Sequence, residues 1–317
     1  MKMMLQRAAG CAVAVALAVA PAVSYGGVVF SSDMSTSAGF TVGTLSADDS
    51  ATFGYDYSAH GIPPAPGGAD TIGLKLDSNT SDGDGLGGVT VWTNSTYSGQ
   101  YTVEFDVWGN YSFAGGTTEA FGGGIGHDQA TVMSRVYTGL QTGVGAWLAM
   151  ATDSSTSRDY RLFKNTGEQF TASGQYHVAD SGGFNGNDNA SGNFDAISPS
   201  VDVSLPPLDV QGQTGVSPLG GPSFNWHHMT ITVDETAGTA YFQIDSLPLA
   251  TLDAGISAFP LTGAVSLFHH DPYGSVAGAQ AFSVFDNVKV TVVPEPTSMA
   301  LLGLGAVGLV GLARRKR

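Results

Sequence analysis

Cysteine and charge are both scarce in this chain. One cysteine, Cys11, occurs in 317 residues, and charged side chains make up 12% of them. Cys11 belongs to an apolar leader, so the rest of the chain has no disulfide, no thiolate nucleophile and no cysteine metal site. The apolar run follows Cys11 instead of preceding it, which argues against lipid attachment there. Basic residues are the rarer sign: residues 26–293 carry six Lys/Arg against 26 Asp/Glu, a net of −20. Such a body repels phosphate backbones, which excludes nucleic acid as a partner. Its charge suits solubility and the attraction of cations such as Ca²⁺. An apolar stripe of helical period is also missing until the last 20 or so residues, so the body is not expected to be helical.

Turn formers and β-formers fill the space. Glycine occupies 44 positions, and Thr, Val, Ser, Tyr and Phe dominate the body, as half-buried pleated surfaces require. The stretch 101–108 alternates cleanly, with Tyr101, Val103, Phe105 and Val107 on one face and Thr102, Glu104, Asp106 and Trp108 on the other. Residues 146–151 and 160–164 predict two more strands around a polar turn. Residues 228–233 and 240–245 predict a hairpin about Asp234–Gly238, and 282–293 predict the last strand. Between Ser181 and Ser223, proline, glycine and asparagine predict long surface loops. No internal repeat interrupts this pattern. The expectation is an all-β, antiparallel two-sheet sandwich over residues 26–293.

The two ends read as addresses. Lys2 and Arg7 precede a short apolar run from Ala8 to Val23 with small residues at its exit. This is the layout of a signal peptide over residues 1–25, cut between Ala20 and Gly26. At the other end, Pro294, Glu295 and Pro296 precede an apolar stretch, Met299 to Leu312, and then Arg314, Arg315, Lys316 and Arg317. Residues 297–313 reach the lower limit for a transmembrane helix, and the basic cluster places the body outside. In this order the features of residues 294–317 closely resemble the PEP-CTERM sorting signal. The resemblance implies processing by an exosortase-type membrane peptidase in a Gram-negative bacterium. It also implies transient inner-membrane anchoring, then transfer to the cell surface or release. The family is associated with extracellular polysaccharide and biofilm.

A second resemblance lies in the later half. Trp226 and the strand to Asp234, then Tyr241–Asp245, then Leu247–Leu252, look like the central region of laminin-G-like domains, with Ser246 in place of the usual glycine. Residues 267–273 and 285–291 fit the closing strands of the same concanavalin-A-like jelly roll. The resemblance implies two antiparallel sheets, one of them often a concave carbohydrate-binding face.

Candidate chemistry is confined to a few clusters. Glu104 and Asp106 share a strand face, as paired carboxylates of a glycosidase do. Laminarinase-type enzymes of this fold use a Glu-x-Asp-x-x-Glu strand, and here the last position falls on Gly109, or on Trp108 in a shorter spacing. The general acid is missing, which favours binding: Glu104 and Asp106 would hydrogen-bond sugar hydroxyls while Trp108 stacks on a ring. A hydrolase would have to draw its second acid from Asp153, Asp159 or Glu168. Asp77, Asn79, Asp82 and Asp84 form an acidic, Gly-containing loop that could offer oxygen ligands to Ca²⁺. His227–His228 and His269–His270 offer at most one ligand per pair to any one site, because adjacent strand residues face opposite ways. No Gly-x-Ser-x-Gly elbow is present, and Gly122–Gly126 leads into no helix, so it is not a phosphate loop. The expected function is an exported, non-enzymatic, carbohydrate-binding sandwich. A glycan-active hydrolase and a purely structural surface protein are the alternatives.

Overall fold

The computed structural model describes residues 26–293 apart from 82–86, 115–118, 135–141, 154–157, 180–185, 274–275 and 277. The leader 1–25 lies outside the described residues, as does the tail 294–317 with Pro294, Glu295, Pro296, Arg314 and Arg315; so do Asp82 and Asp84. In chain order the strands are β1 (Gly27–Ser32), β2 (Phe40–Thr44), β3 (Ser50–Asp56), β4 (Ile72–Asp77), β5 (Gly87–Thr93), β6 (Gln100–Asn110), β7 (Ala120–His127) and β8 (Ala146–Ala151). There follow β9 (Tyr160–Lys164), β10 (Gly167–Gln169), β11 (Trp226–Asp234), β12 (Thr239–Ile244), β13 (Leu247–Asp253), β14 (Ala264–Asp271) and β15 (Phe282–Val293). None of the described helices is long and apolar enough to cross a membrane.

Two antiparallel sheets form the expected sandwich. One runs β13-β12-β11-β6-β15-β4-β3, with β1 also paired to β15; the other runs β10-β9-β8-β7-β14-β5-β2. The alternation read in residues 101–108 is realised: Tyr101, Val103, Phe105 and Val107 are buried in the main core between the sheets. The β11–β12 hairpin turns where expected. Asp234 accepts the Ala237 N–H, and Gly238 takes φ +73°, a left-handed conformation that costs glycine little. The glycine run of 122–126 lies within β7. A Cβ on Gly123 would stand 2.7 Å from the Phe105 ring of the facing sheet, so the bare backbone makes room for that core phenylalanine.

Both sheets carry extra cover on their outer faces. Trp147, Phe163, Phe268 and Met133 make a buried cluster behind the seven-stranded sheet. Behind the eight-stranded sheet, Tyr57, Ile62, Leu208 and Phe224 come from connecting segments and close over Trp108, Phe282 and Val284. Each such side chain removed from water is worth about 1.5–3 kcal/mol. Beside that cover the outer face opens into a groove.

Candidate functional site

Strand β6 is the axis of the groove, because its outward residues Glu104 and Asp106 are flanked by two strands from far along the chain. Strand β11 sets His228 opposite Asp106, and β15 sets Asp286 opposite Asp106 and Lys289 opposite Glu104. Between Asp286 and Lys289 the register slips by a β-bulge, with Asn287 at φ +54°. Bulges re-aim side chains, and this one aims Asn287 at Asp106. The groove, about 620 Å³, is walled on its other side by Ser31, Ser32 and Asp33 at the end of β1.

Asp106 is fully buried at the floor. Its Oδ1 accepts from His228 Nδ1 at 2.7 Å, and its Oδ2 accepts from Asn287 Nδ2 at 2.8 Å and the Gly67 N–H at 3.1 Å. A Cβ on Gly67 would sit 3.0 Å from that Oδ2, which explains why the approaching loop is glycine there. On the other side of His228, Nε2 lies 3.6 Å from Glu104 Oε1, and Glu104 Oε2 lies 2.7 Å from Lys289 Nζ. The groove thus carries a row of alternating charge, Asp106, His228, Glu104, Lys289. The hydrogen bond to Asp106 raises the His228 pKa, outweighing the partial burial that lowers it. Directly across from Asp106, burial pushes Asp286 up to about 7, against the lowering effect of hydrogen bonds from the Asn287 N–H and the Tyr57 hydroxyl.

Trp108 requires a correction. Its side chain does lie on the outer face with Asp106, but it is only 2% exposed. It packs edge-on against Trp226 at 5.8 Å and Phe224 at 6.4 Å between ring centres. No sugar ring can stack on it. Alternation gave the face correctly, and the long connections then covered that face.

The other candidates separate from the groove. Asp77 is paired to Lys75 at 2.7 Å and accepts the Ser50 hydroxyl; the Asn79 amide donates to Asp271 at 3.1 Å. Of the described half of the proposed Ca²⁺ loop, Asp77 is held by Lys75 and Ser50, while the Asn79 amide nitrogen is engaged and its Oδ1 is buried. Among the described residues no group of three or more His, Cys, Asp or Glu is arranged to hold a metal ion. Asp159 accepts the Asn189 N–H, and Glu168 faces Arg158 at 3.4 Å. These residues flank or lie on strands of the seven-stranded sheet, and Asp153 follows β8 there, so none joins Glu104 and Asp106 on the outer face of the other sheet.

His269 and His227 point inward. His269 Nε2 meets Glu119 at 3.1 Å, and both side chains are sealed between the sheets. Burial holds the Glu119 pKa well above its usual range and takes His269 down to about 4, so the His269 ring is neutral near pH 7. His227 has Asp245 at 3.0 Å on Nδ1 and Ser198 at 3.4 Å on Nε2, the order of a hydrolytic triad. Ser198 and His227 are both wholly buried, and the Pro222 carbonyl lies closer to Nε2, at 3.1 Å. This Ser198 is a structural hydrogen-bonding partner, shared with the Tyr160 hydroxyl.

The comparisons with known proteins address the two parts of the chain separately. Residues 292–317 match the family described as the PEP-CTERM protein-sorting motif. The chain is accordingly an exported protein bearing the membrane-anchored sorting signal of Gram-negative bacteria. No curated protein sequence matches. For the body, a galectin-like protein of unknown function from Bacillus subtilis is similar at 15% identity and TM-score 0.44, over 86% of this chain and all of that one. A glycosyl hydrolase family protein from Mycobacterium fortuitum aligns at 12% and 0.42, covering 83% and 99%. The carbohydrate-binding module CBM66 from Bacillus subtilis aligns at 10% and 0.36, covering 80% and 95%. The two-sheet sandwich itself rests on the strand pairing described above.

Proposed function

We propose that the body is a non-enzymatic carbohydrate-binding sandwich, delivered by exosortase-type processing of the C-terminal tail to the cell surface or extracellular matrix. The groove over Glu104, His228 and Lys289 is the binding site. The observation that carries this reading is the pairing of its carboxylates. Glu104 is held by Lys289 and His228, and Asp106 by His228, Asn287 and Gly67. A glycosidase needs one carboxyl kept protonated within reach of the leaving oxygen and a second one ready to attack or to activate water. Asp286 has a raised pKa but is only 2% exposed beneath the loop, and Asp106 is not exposed at all. Neither can reach a glycosidic oxygen.

Donors and acceptors alternate along the groove, which suits a hydroxyl-rich chain. The net charge of −20 over residues 26–293 disfavours polyuronates and other polyanions. The ligand class is therefore a neutral polysaccharide. The test is a panel of neutral and anionic polysaccharides scored for retention of the protein and for release of reducing ends. Retention by neutral members without new reducing ends is expected. Reducing ends that appear in step with protein concentration would replace binding by hydrolysis, and no retention on any member would favour a structural role.

A further inference from the structure

His228 is the one groove side chain that touches both carboxylates. Its Nδ1 stands 2.7 Å from Asp106 and its Nε2 3.6 Å from Glu104. The two acids lie two residues apart on the same face of β6, so their charges repel across roughly 7 Å. A neutral imidazole has one N–H only. If that proton stays on Nδ1 to serve the buried Asp106, the Nε2 lone pair faces Glu104 and repels it. Only the doubly protonated ring satisfies both acids at once.

We propose that His228, as an imidazolium, is the positioning residue of the groove, so that glycan retention is strong while the ring is charged and weak once it is neutral. This inference rests on the glycan-binding reading of the same groove. The groups around the ring favour its charged form. On β6 it faces Glu104 and Asp106. On β15 it has Lys289 beyond Glu104, and Asp286 behind Asp106. Asp245, just past β12, accepts the His228 backbone N–H at 2.8 Å. Asp33 lies on the opposite wall, and Tyr57 and Asp70 stand behind Asp286. Acids outnumber the single lysine in this set, in line with the raised His228 pKa.

Loss of the ring's proton changes the groove in two ways. Counting Asp33, Glu104 and Asp106 against Lys289 and His228, the wall goes from one net negative charge to two. Glu104 also keeps Lys289 as its only cationic partner and is drawn toward β15. A hydroxyl chain spanning from Ser31 to Lys289 then loses a donor and meets a displaced acceptor.

Two measurements on the full chain in detergent test this. The first needs no ligand: the ring carbon shifts of His228 and the side-chain carboxyl shift of Glu104, followed by NMR from pH 5 to 9. The His228 ring should titrate above the ordinary 6.5, and Glu104 should report the same midpoint. A ring that titrates at or below 6.5, or a Glu104 shift that ignores it, overturns the proposal. The second is retention on immobilised neutral glucan, mannan and galactan over the same range. Wild type should weaken roughly tenfold on passing the ring's midpoint, the scale of one charge-assisted hydrogen bond. His228→Lys should stay retained at every pH to 9, and His228→Gln should be weak throughout. Parallel profiles for wild type and His228→Gln would overturn the positioning role. Should none of the polysaccharides retain the protein at any pH, the glycan reading fails, and the NMR titration still decides whether His228 positions Glu104.

Discussion

The groove and the sandwich interior each hold a carboxylate against a histidine, and the two pairs behave in opposite ways. Asp106 and His228 stand 2.7 Å apart beside solvent, and the histidine pKa is raised. Glu119 and His269 stand 3.1 Å apart with no exposure, and the histidine is pushed down to about 4 while the carboxyl rises well above its usual range. The difference lies in what else surrounds each pair. Asp106 takes three donors, and His228 keeps one edge in water. In the interior, Glu119 Oε1 and His269 Nδ1 are buried with no hydrogen-bonding partner, and desolvation dominates. One pair is built to carry charge, the other to avoid it.

Substitutions should separate the pairs sharply. Glu119→Ala should cost about 2–4 kcal/mol in denaturant unfolding, from a cavity plus an unpaired imidazole. Glu119→Gln, close in shape to a protonated carboxyl, should fall within about 1 kcal/mol of wild type. At the groove the neutral isostere should not be tolerated so well. Asp106→Asn would set an amide donor among three donors and should cost about 1–3 kcal/mol. Equal costs for Glu119→Gln and Asp106→Asn would erase the contrast.

The pH dependence has a definite sign at each place. Asp286 has a folded pKa of about 7, above its unfolded value. Its contribution is therefore fully present below pH 4 or so and is lost as the pH rises toward and through 7. Asp286→Asn should raise the melting temperature at pH 8 relative to wild type, by a margin that shrinks at pH 5. His269 runs the other way. Its folded pKa is depressed, so its contribution is present above pH 6.5 or so and is lost as the pH falls through about 4. The smallest stability change belongs to Glu104→Gln, an exchange at a partly exposed ion pair, expected within about 0.5 kcal/mol. Its effect should show in polysaccharide retention, and unchanged retention would remove Glu104 from the site.

Much of this was legible in the sequence, for local reasons. Period-two alternation placed β6, the β11–β12 hairpin and β15, and it put Glu104 and Asp106 on one face. The groove's other members were not legible, because β11 and β15 pair with β6 across more than a hundred residues. No local pattern states which distant strand will lie alongside. His228 read as one half of a histidine pair, and Lys289 lay unremarked within the closing strand. Trp108 read as a stacking platform because alternation reports a face and not what later covers it. A signal for the bulge did exist: Asp286 and Asn287 interrupt the apolar rhythm between Phe285 and Val288. The Ca²⁺ reading of Asp77 and Asn79 rested on their oxygens, and a sequence does not show that Lys75 pairs with Asp77 or that Asp271 takes the Asn79 amide N–H.

The most direct test of the groove as the binding site is a footprint. Hydrogen exchange and NMR shift changes would be mapped at pH 6 on adding an oligosaccharide from whichever neutral polymer retains the protein. Changes concentrated at Ser31–Asp33, Glu104, His228 and Lys289 are predicted. Changes confined to the seven-stranded sheet or its connecting loops, with the groove silent, would contradict the account.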